Sequence, residues 1–322
     1  MRIILAYSGT LETSVAIPWL AERYGAEVIA VSIDLGQGRE LEEVRDRALV
    51  TGAVRAHVLD ARDEFARELI VPALKADASA EFPGGTSAML RALGRPLIAR
   101  KLVEIADIEQ ADAIAHGSGG MAIEATARVL NPAMRVLAAA RDARMTPVQQ
   151  RDYAAARHLT LPPEADSSFA VLDPPREAAA VDVSFERGVP TGINGVAMPL
   201  LDLFESLGTI AVAHRIGVRG RDLRDAPAAG ILSAAHLALR TLIDSEDLNR
   251  LCRTVGREYA DAIRDGRWYA PAREAMDAFF NSVDGRVTGI VRLKLSAGDC
   301  QIVDARETSA DSVARIPMTR VS

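Results

Sequence analysis

Apolar positions in the first half of the chain come as short runs separated by stretches of helical period. Residues Arg2 to Tyr7 (RIILAY) read as a buried strand, and a helix is expected from about Thr13 to Tyr24, stopped at Gly25. A second strand is expected over Glu27 to Ile33 (EVIAVSI), ending at Asp34 and the loop Leu35 to Gly38. A charged helix from Glu40 to Thr51 stops at Gly52, followed by a strand over Arg55 to Leu59 and a helix over Asp63 to Leu74. A helix over Pro96 to Ile108 precedes a strand over Ala111 to Ala115, which leads into His116-Gly117. Strands alternating with helices through short connections predict a parallel sheet covered on both faces. In such sheets ligands bind at the carboxyl ends of strands, here at Ser8, Asp34 and His116.

From Glu124 to about Leu161 the pattern reads as helix, with a break at Asn131-Pro132. The loop Pro162 to Pro175, rich in Pro, Asp and Ser, is the expected domain boundary, giving domains over 1–165 and 176–322. The second part changes character. A hairpin is expected from Ala180–Phe185 and Val189–Ile193 through Arg187-Gly188, then helix over Ala228 to Arg264 and a strand over Val287 to Leu295. The tail after Glu307 has no periodicity. The fold class expected is α/β: an N-terminal parallel-sheet domain followed by an α+β domain.

Composition narrows the function classes. The net charge is −6, and Lys and Arg are spread without a block. A phosphate-backbone partner would need them clustered, so nucleic acid is not expected, and a small-molecule substrate is. The two cysteines, Cys252 and Cys300, stand in no metal-ligand spacing, so no metal-ligand set is read from the sequence. No apolar stretch approaches the roughly 20 residues of a membrane span, and the N-terminus enters a strand pattern at once. A cytoplasmic protein without a membrane role is therefore expected.

The segment with chemistry is SGTLETS, Ser8 to Ser14, between the first strand and the first helix. Backbone amides at such a junction converge, and the helix dipole favours an anion there. Ser8, Thr10, Thr13 and Ser14 offer hydroxyls, and Gly9 permits close approach. A capped helix start would look the same in sequence, since Ser and Thr are favoured N-caps. The segment is neither a Walker A loop nor a dinucleotide fingerprint. His116 could face phosphate or act as an acid, or could simply bond its own turn. Asp34 could lie near a nucleotide or cap its loop, and His236, on an apolar helix, reads as a core histidine.

YSGTLETS resembles the PP-loop of ATP pyrophosphatases, normally Ser-Gly-Gly-x-Asp-Ser/Thr. The wider sequence resembles the argininosuccinate synthase family through LAYSGTLETSVAIPWL, YGAEVIAVSIDLGQGRELEEVR, RPLIARKLVEIA, AHGSGG, FERGVPTGING, APAAGILSAAH, DGRWYAPAREAMDAF and RVTGIVRLKL, in order from Ile3 to Leu295. The resemblance implies a PP-loop domain of the adenine nucleotide alpha hydrolase-like kind and a C-terminal synthetase-like domain. It also implies ATP with Mg, and a ligase that adenylates the ureido oxygen of citrulline, releases pyrophosphate and joins aspartate. Carried over by position, it places Ala6, Tyr7, Ser8, Gly9, Thr10, Leu11, Glu12, Thr13, Ser14, Ile33, Asp34, His116 and Gly117 at the nucleotide, with Ser8 and Glu12 as catalytic candidates. It places Phe82, Thr86, Ser87, Gly119, Ile123, Glu124, Ala127 and Arg224 at the substrates.

Several of these positions depart from the family pattern. Thr10 replaces the second PP-loop glycine and Glu12 an aspartate, so any magnesium ion would sit differently. In the family's His-Gly-Cys-Thr-Gly-Lys-Gly-Asn-Asp-Gln-Val-Arg segment, Gly119 replaces threonine, Met121 lysine, Ile123 asparagine, Glu124 aspartate and Ala127 arginine. Phe82 and Arg224 stand for two substrate tyrosines. The family's Gly-Arg-Ser-x-Glu-Gly-Gly loop and its C-terminal helical arm have no counterpart. The expectation is an AMP- and pyrophosphate-forming ligase with altered substrates in a specialised pathway, acting as a homo-oligomer, dimer or tetramer. The alternative is a non-catalytic adenine-nucleotide sensor or scaffold.

Overall fold

The computed structural model describes residues 1–36, 41–117, 121–161, 177–216 and 227–308. These fall into two compact units. The first gathers the described residues of Met1–Arg62, Ala92–Ser168 and Ala262–Ala270, and the second those of Asp63–Arg91, Phe169–Asp261 and Pro271–Ser322.

In the first unit β1 (Arg2–Ala6), β2 (Glu27–Asp34), β3 (Arg55–Asp60), β4 (Ala113–His116) and β5 (Arg135–Ala138) form a parallel sheet in the order β3-β2-β1-β4-β5. Ile3, Leu5 and Tyr7 point to one face with Val28, Ala30, Ala113 and Ala115. Ala16, Ile17 and Leu20 of α1 (Leu11–Tyr24) and Val44 and Ala48 of α2 (Leu41–Val50) cover that face. Ile4, Ile29, Val31 and Ile114 point the other way and are equally buried, which explains why these strands lack a polar alternation.

The remaining helices divide between or within the units. They are α3 (Arg62–Glu64), continued by a π-helical turn at Phe65–Ile70 into α4 (Val71–Lys75); α5 (Gly85–Ile108); α6 (Ala122–Leu130); α7 (Ala139–Ala143); α8 (Pro147–Ala156); α9 (Leu200–Ala213); α10 (Pro227–Ile243); α11 (Glu246–Arg264); and α12 (Pro271–Asp284). In the second unit β6 (Ala179–Glu186), β7 (Val189–Ile193), β8 (Val196–Ala197), β9 (Gly289–Ser296) and β10 (Asp299–Glu307) make a sheet in the order β10-β9-β6-β7-β8, antiparallel throughout. Val181, Val183, Phe185, Val291, Leu293 and Leu295 bury its inner face against Leu203, Leu207, Leu232, Ala235 and Leu239 of α9 and α10. The protein is thus a parallel α/β unit plus an antiparallel α+β unit.

Three expectations need correction. The segment Glu124–Leu161 is not one interrupted helix: Pro132 ends α6 and the short run Arg135–Ala138 adds a fifth strand before α7 and α8. Four residues are too few to show a strand pattern beside an alanine-rich helical stretch. The helix expected from Pro96 begins at Gly85, because α5 runs through Pro96 and forgoes one backbone bond there. Ala228–Arg264 is two helices, parted at Asp244-Ser245. Helices α9 and α12 and strand β10 had no expectation; β10 is exposed along most of its length and so carries no period-two signal.

Candidate functional site

The strand order fixes where a ligand can enter the first unit. Strand β1 pairs with β2 on one side and β4 on the other, so successive connections leave in opposite directions and open a crevice beyond their carboxyl ends. Ser8 follows β1 there, and Gly117 follows β4.

Gly9 has φ +73°, and a Cβ at that position would lie 3.2 Å from Arg47 Nη1 and 3.4 Å from Val44 Cγ1. The backbone angle therefore favours glycine, and the space beside it is tight. Arg47, on α2, brings Nη1 to 3.5 Å from the Gly9 carbonyl. The sequence reading passed over Arg47, and its only signal was a place beside the buried Val44/Ala48 stripe of its helix.

Helix α1 opens at Leu11, two residues before the expected start, with Thr10 at the N-cap and extended (φ −78°, ψ 168°). The Thr10 side chain makes no cap hydrogen bond. The Thr10 hydroxyl lies instead 3.0 Å from the Ser8 hydroxyl and 3.3 Å from that of Thr13, and Ser8 and Thr13 are 3.3 Å apart. The Ser8 N–H donates toward Thr13 Oγ1 at 3.4 Å. The three hydroxyls form a triangle at the mouth of the helix, and the Thr10 hydroxyl points to Ser8 and Thr13 instead of capping the first turn. Gly117 closes the other side: a Cβ there would sit 3.2 Å from the Thr13 methyl.

The other residues expected at the nucleotide lie around this triangle. Glu12 is exposed in the first turn of α1, and Ala6 and Leu11 are half-buried. Tyr7 and Ser14 are buried, with their hydroxyls 3.1 Å apart behind the turn, and burial raises the Tyr7 phenol above its ordinary pKa. Ile33 is buried at the end of β2. Asp34 accepts from the Gly36 N–H at 2.8 Å and lies 3.5 Å from Arg62 Nε, so it braces its own loop.

His116 is buried at the end of β4, its Nε2 3.6 Å from Glu124 Oε1. Arg141, on α7, donates to the same oxygen at 2.6 Å. Burial holds the imidazole below its ordinary pKa, against the pull of the Glu124 carboxylate. Ile123, Glu124 and Ala127 share the inward side of α6, and Ala127 is fully buried, whereas Met121 is exposed. In the second unit Phe82 is buried after a 3-10 turn, and Thr86 and Ser87 stand half-buried in the first turn of α5. Gly119 and Arg224 lie outside the described residues. Among the described residues no group of three or more His, Cys, Asp or Glu side chains is arranged to hold a metal ion, and no helix is long and apolar enough to cross a membrane.

Comparison with known proteins decides the family. Residues 2–160 match the family model described as the arginosuccinate synthase N-terminal HUP domain, and residues 165–314 match the arginosuccinate synthase C-terminal domain. The chain belongs to the argininosuccinate synthase family. Among the relatives of this family, the argininosuccinate synthase of Rubrobacter xylanophilus is 36% identical over 94% of this chain and 84% of its own length. That of Brevibacillus brevis is 34% identical over 97% and 85%, and that of Symbiobacterium thermophilum 35% identical over 92% and 86%. The fold agrees: the five strands of the parallel sheet fall within the span of the N-terminal family model, as does the hydroxyl triangle. The family identity makes this an ATP-dependent ligase of the argininosuccinate synthase type.

Proposed function

We propose that the turn Ser8–Ser14 and the facing Gly117 bind the polyphosphate of ATP, and that the protein adenylates an oxygen of an acceptor other than citrulline, with an amine then displacing that oxygen as AMP at the carbon that bore it. The observation that carries the first half is the uncapped start of α1, with three hydroxyls gathered and two glycines where a side chain would intrude. A favourable helix dipole and hydroxyl donors suit a polyphosphate. Exposed Glu12 is the carboxylate in that turn available to an accompanying magnesium ion. Bound ATP supplies the adenylyl group that turns a poor leaving oxygen into AMP, with loss of pyrophosphate. The chain's own contribution is to orient the polyphosphate by Ser8, Thr10 and Thr13, and to keep the crevice wall close at Gly117.

The second half rests on α6. Where the family pattern has asparagine and arginine, this chain has Ile123 and Ala127, buried and apolar. A zwitterionic amino acid brought against them would lose partners at a cost of about 1–3 kcal/mol for each polar group left unpaired. Glu124 keeps a carboxylate, but Arg141 holds it. A less polar acceptor fits this wall better than citrulline.

Calorimetric titration with ATP and AMP, followed by pyrophosphate release over a panel of oxygen acceptors and amines, tests both halves. Submillimolar ATP binding is expected, with pyrophosphate released for an acceptor less polar than citrulline. Turnover of citrulline with aspartate at rates ordinary for an enzyme would overturn the altered acceptor. Nucleotide binding without pyrophosphate under any acceptor would overturn catalysis and leave a sensor.

A further inference from the structure

The buried end of β4 is tied to the surface by one arginine. Arg141, half-exposed on α7, donates to Glu124 Oε1 at 2.6 Å, and that same oxygen lies 3.6 Å from His116 Nε2. Glu124 and His116 are both almost wholly buried, and Glu124 Oε2 has no hydrogen-bond partner among the described residues. A buried carboxylate in this position needs a cation nearby. Two are within reach, the permanent guanidinium of Arg141 and the imidazolium that His116 would become.

Helix α6 itself is held in place, because Thr126 donates to the Gly266 carbonyl at 3.1 Å. The residue after His116 is Gly117, whose Cα faces the Thr13 methyl closely enough that a Cβ would lie 3.2 Å away. A rotation or recharging of His116 therefore acts one residue from the wall of the hydroxyl triangle.

We infer that Arg141 is a positioning residue for the nucleotide crevice: by satisfying Glu124 it leaves His116 uncharged and fixes the end of β4 against the PP-loop. The inference rests on the nucleotide-binding reading above. Among the described residues, charged groups facing His116 include Glu124 from α6 and Arg141 and Asp142 from α7. Removing Arg141 takes away a repelling cation and frees the carboxylate for the imidazole, and both changes favour protonation. The histidine then becomes the counter-ion, and the strand end must shift to close the 3.6 Å gap.

The test compares wild type, Arg141→Gln and Arg141→Lys in two measurements: the imidazole NMR titration of His116, and calorimetric ATP binding from pH 5.5 to 8.5. Arg141→Gln is expected to raise the His116 midpoint by about one pH unit and weaken ATP binding about tenfold, with the loss depending on pH through the new midpoint. Arg141→Lys should restore most of both. A lost surface contact that merely loosens α7 would not move the His116 titration. Arg141→Gln protein that binds ATP as wild type does, or that leaves the His116 midpoint unmoved, overturns the role of Arg141 while the nucleotide reading stands. Wild-type protein that binds no ATP overturns that reading, and this inference with it.

Discussion

Two buried histidines each face a carboxylate, one in each unit, and their surroundings differ. His236 Nε2 lies 3.2 Å from Asp284 Oδ2, and both side chains are sealed from solvent between α10 and α12. Around them Arg240 donates to the Lys75 carbonyl at 2.9 Å and Arg286 reaches Asp244 at 3.1 Å. That centre ties helices to one another. The His116–Glu124 centre sits instead at a strand end, next to a glycine, with an arginine whose other side meets solvent. The chemistry is the same, and the placement separates a polar group that holds the fold from one that borders a crevice.

The strongest way to break this contrast is Asp284→Ala. It leaves His236 buried without its carboxylate and should lower stability by about 3–5 kcal/mol, read by urea unfolding, with the ATP affinity of the folded protein unchanged. Next in size, Gly9→Val forces a β-branched residue to φ +73° against Arg47 and Val44, and should weaken ATP binding about a hundredfold. Thr13→Val removes one corner of the hydroxyl triangle at nearly constant volume, with about a tenfold loss of ATP affinity and little change in unfolding. Ser14→Ala, behind the turn, should do the reverse: about 1 kcal/mol of stability through the Tyr7 hydroxyl and an ATP affinity within a factor of about two.

The smallest effect is in pH. His116 has its folded pKa lowered by burial, so below about 6.5 the unfolded chain takes up a proton that the folded one refuses. Its contribution is whole above that pH and declines as pH falls toward the lower folded value. His116→Asn should remove this part of the acid decline, as seen in thermal unfolding between pH 5 and 7.

The alternation of Arg2–Tyr7, Glu27–Ile33 and Arg55–Leu59 with helices made the parallel unit legible, because strands buried on both faces are continuous apolar runs. Strands β5 and β10 were not, one too short and the other too exposed to carry a period. The turn Ser8–Ser14 stood out through its hydroxyls and glycine, yet sequence alone left a capped helix equally open. The bare N-cap at Thr10 depends on side-chain directions that no spacing encodes. Arg47 and Arg141 reach the site from helices whose patterns read as ordinary amphipathic faces, so contact across the fold was needed to find them.

Titration of ATP into wild type and Gly9→Val by calorimetry tests the central claim most directly. Saturable binding below millimolar concentration in wild type, lost in the folded variant, is the predicted result. No heat of binding in wild type at several millimolar ATP, or equal binding by both proteins, would contradict it.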